Sequence, residues 1–580
     1  MKPIFTIFPL LFFLINSQAQ HVLNKASLNE DGSISIEKIT VNDFPYSNFY
    51  GNALQPFLTF GQPAFAIKNT RGVTLADLDH NGVAEILFGI DKTLYVLKGD
   101  GTIMFQKELS GPILLPPTVA DLNGDGNFEI LVNCGYPSTV GGIYLLDHQG
   151  NDMPGWPISF DGHWMINAPA VSDIDGDGIM EIVTGERVSA SVGYVHVLKM
   201  DGTPMNENWP IDIGATPAFT PSIGDVNNDG SKNIVIAGSS SGMHVFNVDG
   251  TLLPGFPVHN PDVSYSYQSP ILVDLNGDGN LEIVGSNHGN AAAFYVMKSD
   301  GSYRDGWPIP LSGWTYSPST VADVDEDGVY EIFMGQPVVS SDGSDLPTIF
   351  GFKPDGTNLD HFPIEKYGGN EGVITIADVN NDGILDVVFG SNITDEDEYG
   401  FLHAYSLDGS GEIDGFPLRP KGFTFLNGAV LGDVDNDGMM DLTVNSYTSN
   451  FGAEVDSMYV NTYNLNVPHD PEKIIRNGYK GSNVRDGLIS TESMSVTDFS
   501  QNSTRIFPNP SDGMLNLKLS KSVQNLTMNI YDVKGRLVFT DKRSKAVDGL
   551  NYNLSQLPPG LYLIRVILDK QESTFKWIKK

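Results

Sequence analysis

The chain has 580 residues, 40% of them hydrophobic, with 62 Gly, a single Cys and a formal net charge of −37. A chain of this length holds more than one domain. The charge argues against nucleic acid or an anionic membrane surface as partner, and the lone Cys134 excludes an intramolecular disulfide.

Residues 1–19 read as a secretory signal peptide: Lys2 supplies the positive start, residues 4–15 the apolar stretch, and Ser17, Gln18 and Ala19 a small-x-small cleavage site. The mature chain is then expected to begin near Gln20, with residues 20–56 as an N-terminal extension. No later segment offers 18 consecutive apolar residues, so no transmembrane span is expected.

Residues 57–483 are punctuated by eight copies of one nine-residue loop. They read DLDHNGVAE from Asp77, DLNGDGNFE from Asp121, DIDGDGIME from Asp173 and DVNNDGSKN from Asp225. DLNGDGNLE from Asp274, DVDEDGVYE from Asp323, DVNNDGILD from Asp378 and DVDNDGMMD from Asp433 follow. Side-chain oxygens recur at positions 1, 3, 5 and 9, with Gly at position 6. That spacing wraps a chain around one hard cation, and Gly permits the sharp turn. The expected Ca²⁺ ligands are Asp77, Asp79, Asn81 and Glu85; Asp121, Asn123, Asp125 and Glu129; Asp173, Asp175, Asp177 and Glu181; and Asp225, Asn227, Asp229 and Asn233. The later loops add Asp274, Asn276, Asp278 and Glu282; Asp323, Asp325, Asp327 and Glu331; Asp378, Asn380, Asp382 and Asp386; and Asp433, Asp435, Asp437 and Asp441. A backbone carbonyl at position 7 would complete each shell. The all-carboxylate loops at Asp173 and Asp323 should bind tightest, and the Asp225 loop, with two carboxylates, weakest. These positions hold 26 carboxylates, and eight bound Ca²⁺ would bring the net charge to −21.

The surroundings are not those of an EF-hand. Position 12, where that motif needs a bidentate Glu, is Phe88, Val132 or Thr184, and short β-branched runs flank the loops in place of helices. Loop starts lie 44 to 55 residues apart, with four strand-sized segments per unit. In the unit of Asp274 these are residues 269–273, 282–285, 293–298 and a fourth carrying Trp307 and Pro308. Asp-Gly-type turns recur at Gly101, Gly150, Gly202, Gly250, Gly301, Gly356 and Gly409. Aromatics recur at Phe105, Trp156, Trp209, Phe256, Trp307, Phe362 and Phe416, and six of them precede Pro. Their type suits packing between units. A period near 50 means a propeller blade. The last unit lacks a fourth strand, and residues 57–64 are a candidate to supply it and close the ring.

A calcium loop joining two strands resembles the FG-GAP/VCBS repeat of integrin-alpha-like propellers. The resemblance implies an all-β fold: an eight-bladed β-propeller, with seven blades as the alternative. Residues 484–505 are mostly polar and read as a linker. Residues 506–580 are Lys-rich and built of short alternating strands. Phe507, Pro508, Asn509 and Pro510, then Ile530, Tyr531 and Asp532, Gly535 and Arg536, the stretch 557–562, and Lys579 and Lys580 resemble the type A sorting domain of the type IX secretion system. That resemblance implies a small C-terminal β-sandwich, an encounter with the secretion machinery, passage through the periplasm, and release or display at the outer-membrane surface.

Catalytic signatures are scarce. GSSSG at 238–242 matches G-x-S-x-G formally, but a strand follows it, which suits a hairpin turn. No zinc, P-loop or dinucleotide motif is present. Residues just ahead of the inner strands fall at the mouth opposite the metal loops. There lie His163, Trp164, Phe219, Tyr265, Tyr267, Trp314, Tyr316, Phe423 and Phe425, with Lys68, Arg71 and Lys421 nearby. His163, Trp164, Tyr265, Tyr267, Trp314 and Tyr316 are the candidate ligand-binding residues, since aromatics around a polar funnel suit sugar stacking or peptide grip. The expected function is binding of an extracellular polysaccharide, or of a surface protein as an adhesin. Rhamnogalacturonan lyases share the architecture. A lyase here would need a base (His163, Tyr265 or Tyr267) and a cation (Arg71 or Lys421).

Overall fold

The computed structural model describes residues 20–29, 34–42, 44, 46, 53–64 and most of 70–489 and 505–580; positions 137–138, 166, 219, 266–268, 312, 341–342 and 449–455 are among those outside the description. The signal segment 1–19 also lies outside it. The described residues are all β apart from two three-residue 3₁₀ turns, and no helix is long and apolar enough to cross a membrane. The chain divides into two compact units, a larger one running to Val496 and a smaller one from Thr497.

In the larger unit each loop joins a three-residue inner strand to the second strand of one antiparallel sheet. The unit of Asp274 runs Ile271–Val273, Glu282–Ser286, Ala293–Met297 and Ile309–Pro310. Its fourth strand starts just past Trp307 and Pro308, the pair the sequence reading placed inside it. Among the described residues eight sheets each carry one loop. The second strands, such as Glu85–Ile90 and Asn233–Gly238, are buried along their whole length. They carry continuous apolar runs because neighbouring sheets cover both faces. One core cluster joins Leu87 and Val96 of the first sheet to Ile130 and Val132 of the second. The recurring aromatics sit in these clusters, and the indole N–H groups of Trp156, Trp209 and Trp307 donate to carbonyls of the following unit, Met200 O, Val248 O and Pro354 O.

The last sheet takes its outer strand from the other end of the chain. Leu58–Ala64 pairs antiparallel with Asp456–Pro468, from Leu58 opposite Thr462 to Ala64 opposite Asp456. Upstream, Gln20–Leu28 and Ile34–Asn42 form a hairpin whose first strand adds to Ile393–Thr394. The hairpin and the segment behind it carry Leu23, Val41 and Phe44 into a cluster with Tyr367, Ile393 and Phe401.

A linker beginning at 484 is overturned by what residues 474–489 do. This segment hydrogen-bonds to the inner strand of every one of the eight sheets. Ile474–Arg476 pairs with Thr375–Ala377, the Arg476 side chain donates to Val321 O, and Asn477 brackets Leu431. The Asn483 amide donates to Leu75 O while its carbonyl accepts from Val119 N–H. Val484, Asp486 and Gly487 carbonyls accept from Val171, Ile223 and Leu272, and Leu488–Ile489 runs parallel to Ile271–Val273. The physical reason is the free inner edge of each sheet, a row of N–H and C=O groups that needs partners once buried. Arg485 is fully buried and donates to Ser482 O at 3.0 Å, Thr74 Oγ1 at 2.7 Å and Pro117 O at 3.2 Å.

In the smaller unit, Leu526–Asp532 lies between Leu537–Arg543 and Gly560–Leu568, with Gln571–Lys579 beyond. A second sheet holds Arg505–Phe507, Met514–Lys518 and Leu550–Asn553. One apolar cluster, with Leu515 and Leu517 from the second and Met528, Ile564 and Trp577 from the first, joins both sheets.

Candidate metal loops and the opposite mouth

The loops share a hydrogen-bond frame, its first bond present in all eight and its second in the seven from Asp121 onward. The position-9 side chain accepts from the position-2 N–H: Glu85 from Leu78 at 2.8 Å, Glu331 from Val324 at 3.0 Å, and Asn233 from Val226 at 2.9 Å. The position-1 carboxylate accepts from the Gly N–H at position 6, as Asp121 does from Gly126 at 3.0 Å and Asp433 from Gly438 at 2.9 Å. Gly at position 6 takes φ between 82° and 93° in every copy. Position 4 is left-handed too (His80, Gly124, Gly176, Asn228, Gly277, Glu326, Asn381 and Asn436), which explains the Gly and Asn found there. The sequence reading did not single out that position.

Carboxylate oxygens converge within 4.8 Å of one another at Asp77, Asp79 and Glu85; at Asp173, Asp175 and Glu181; at Asp323, Asp325 and Glu331; and at Asp433, Asp435 and Asp441. These are the loops with Asp at both positions 1 and 3 and an acid at 9. Burial pushes the position-9 carboxyls up, Glu85, Glu129, Glu331, Asp386 and Asp441 to about 7, and neighbouring loop aspartates add to the rise. In Asp386 and Asp441 one carboxylate oxygen accepts the loop N–H, while the other is buried without a hydrogen-bond partner. A hard cation is the partner such an oxygen lacks, so the residues fit Ca²⁺. Two loops carry a cationic side chain of the protein. Arg304 contacts Glu282 at 3.2 Å, and the Lys473 ammonium reaches Asp378 at 2.8 Å and Asn381 at 2.6 Å.

Every second strand starts at a loop and runs away from it, so its far end and the hairpin beyond lie on the opposite face. The aromatic platform expected there is mostly interior. Trp164 is 2% exposed, Tyr265 1% and Tyr316 2%. Trp164 lies under the Arg187 guanidinium at 5.1 Å, and Tyr265 packs edge-on against Tyr295. Phe423 and Phe425 are core. The reason is packing between neighbouring sheets: Tyr265 lies in a cluster with Val235 and Met243 of one sheet and Ile283 and Tyr295 of the next, and Phe423 and Phe425 join Phe88 and Val460. Arg71 is likewise buried, donating to the carbonyls of Glu371 and Tyr316. Neither Arg71 nor Tyr265 is placed to meet a substrate. Lys421 is engaged by Glu398 at 3.3 Å and by Asp397 O at 2.6 Å. His163 contacts Glu186, whose other oxygen takes His196 at 2.7 Å. Tyr267, Phe219 and Lys68 lie outside the described residues.

Trp314 is the most exposed of the described candidates, at 44%, with His163 and Lys421 half-buried. It lies in the wall of a depression of about 500 Å³ that spans four consecutive units, with Arg187, Ser239, Ser240, Asp262, His288 and Asn290 among the lining residues. Sequence reasoning missed these six. Their signal is position: four lie at or near hairpins between second and third strands, a rule the loop spacing already contained. The GSSSG stretch is such a hairpin, with Gly238 opposite Gly242. Its Ser241 hydroxyl contacts His244 Nε2 at 2.9 Å.

Family models match the chain in two places. The FG-GAP-like repeat matches residues 121–184, 225–285 and 274–334, and the secretion system C-terminal sorting domain matches residues 505–580. The chain thus carries FG-GAP-like repeats followed by a sorting domain for type IX secretion, which directs export to the cell surface or the medium and implies contact with that machinery. No curated protein matches it in sequence. Among solved structures it is similar to the V. cholerae biofilm matrix protein Bap1, at 16% identity over 92% of this chain and 89% of that one, with a TM-score of 0.30. It is also similar to quinohemoprotein alcohol dehydrogenase from Comamonas testosteroni (12% identity, 72% and 78% covered, TM-score 0.43). BamB from Moraxella catarrhalis gives 14% identity, 59% and 98% covered, and a TM-score of 0.34. At these scores the likeness is coarse.

Proposed function

We propose that this is a secreted or surface-displayed, calcium-loaded eight-bladed β-propeller that binds an extracellular polymer, a carbohydrate, without altering it. A C-terminal β-sandwich serves as its export tag, and residues 1–19 as a signal peptide that is removed. The blade count is supported by residues 474–489, which bond to eight inner strands in one ring. Calcium is supported by the buried, unpartnered oxygens of Asp386 and Asp441 and by the converging carboxylates of four loops. When bound, the ions neutralise the crowded loop carboxylates and stiffen one face of the ring. The loops themselves hold each carboxylate through backbone N–H bonds, so the donor set is arranged before any ion arrives.

The observation that carries the binding role is the division of faces. One face is taken up by eight structural loops. The other holds an open depression with an exposed Trp and hydroxyl side chains. Exposed indole with a polar rim is the composition of a sugar site. The test is retention of the calcium-loaded protein in affinity gels containing soluble glycans, beside calorimetric titration with Ca²⁺. Graded calcium sites, and slowed migration in at least one glycan, are expected. Failure to bind calcium or any glycan of a broad panel refutes the reading.

A further inference from the structure

The depression beside Trp314 has a composition that selects among sugars. Its volume of about 500 Å³ falls inside the range of roughly 300–1,000 Å³ typical of small-molecule sites. Trp314 is held from behind by the His288 ring at 5.1 Å, and His288 is in turn packed edge-on to Tyr316 at 4.9 Å. The indole is therefore a fixed, solvent-facing platform. Around it stand hydroxyls and an amide from Ser239, Ser240, Ser264 and Asn290. His288 is 1% exposed, and neither ring nitrogen has a hydrogen-bond partner. Burial holds its pKa down at about 4, so the imidazole behind Trp314 is neutral and adds no charge to the wall of the depression. The lining carries one cation, Arg187, and one carboxylate, Asp262, so its formal charge is zero. The chain as a whole carries −37, which eight bound Ca²⁺ would bring to −21.

From this juxtaposition we infer that the Trp314–His288 depression is a subsite for an uncharged, hydroxyl-rich sugar unit of a neutral glycan, and that the protein rejects acidic polysaccharides. The inference rests on the glycan-binding reading and narrows it. A polyanion meets a repulsive field and a single cation, Arg187, whose charge Asp262 offsets in the same lining, whereas a neutral ring loses nothing to that field. The indole takes the C–H face of the ring, and the serine and asparagine groups take its hydroxyls. The affinity is then set by stacking and short hydrogen bonds, which salt does not screen.

The experiment is affinity electrophoresis and calorimetry of the calcium-loaded full chain with neutral probes (dextran, galactomannan, xyloglucan) and acidic ones (polygalacturonate, alginate). Trp314→Ala should weaken retention by at least about tenfold. Trp314→Phe should hold within about threefold of the native protein, and Ser240→Trp, which fills the depression, should abolish retention. Calcium content should not move in any of the three, and Ser240→Trp, at an exposed position, and Trp314→Phe, which keeps an aromatic on His288, should keep the native melting temperature. Raising NaCl from 50 to 500 mM should leave neutral-glycan retention unchanged. If acidic glycans bind more tightly than neutral ones and are released by salt, the charge assignment is overturned while glycan binding stands. If neutral glycans bind equally to Trp314→Ala and Ser240→Trp, the subsite is wrong although the reading survives. Retention of no glycan, or capture of a peptide by the depression in their place, overturns both.

Discussion

Replacing Glu331 by Gln should stabilise the protein without calcium and destabilise it with calcium. Glu331 stands at position 9 of its loop, 5% exposed, and burial pushes its carboxyl from an ordinary 4.5 to about 7. A raised carboxyl favours the folded state in its protonated form. Its cost is absent below pH 4.5 and fully present above pH 7, so metal-free stability falls as pH rises through that window. The full shift amounts to on the order of 3 kcal/mol at pH 8. Asp323, Asp325 and Asp327 remain in the loop, so Gln should recover about 1–2 kcal/mol of it. The shape is tolerated, because the Asp225 loop already carries the amide Asn233 there, accepting from the position-2 N–H as Glu331 does. With Ca²⁺ the sign reverses, since the variant has lost a charged ligand. Thermal melts at pH 8 and pH 5, each with chelator and with excess Ca²⁺, give four numbers. The variant should melt a degree or more higher in chelator at pH 8, higher by much less in chelator at pH 5, where most of the cost is gone, and lower in calcium at pH 8. A lower melting temperature in chelator at pH 8 would refute the reasoning, and would mean that Glu331 is held by hydrogen bonds that outweigh its burial.

Asp175→Ala should cost more in calcium than Asn227→Ala at the same loop position, by about 2 kcal/mol, since a site kept at a hundred times its Kd stabilises by about 2.7 kcal/mol. Equal melting curves would remove the graded-affinity picture. A chain ending at residue 489 should melt as the full propeller does, whereas one ending at 482 loses Asn483, Arg485 and Gly487 and should aggregate or melt more than ten degrees lower; identical melts would show that the axial segment is decoration. Removing residues 505–580 should leave calcium binding and the propeller melt intact while the protein accumulates in the periplasm, and its arrival at the surface would contradict the role of the tail.

Much of this molecule was legible along the chain because its information is local. A loop such as DIDGDGIME specifies its own turn: the carboxylate at position 1 and the Gly at position 6 meet within five residues, whatever the rest of the protein does. The period of the loops then gives the sheets, and the strand at Leu58–Ala64 was visible as the piece the last unit lacked. The sorting domain was carried by short segments in order, and its cluster around Trp577 needs no distant partner. What the sequence by itself could not decide is what becomes of surface that exists only after the ring closes. Eight inner strands, each ordinary alone, together create a shaft with eight free edges. Closure buries Trp164 and Tyr265 between neighbouring elements, gathers Tyr316 with Leu115, Ala168, Val373 and Tyr479, and draws in residues 474–489, the last six of which read as linker in the sequence. The same closure brings Arg187, Ser240, His288 and Trp314, far apart in the chain, to one depression. Local hydrogen bonds are written in adjacent residues; shaft and depression are long-range geometry, and only the folded ring sets their size and contents.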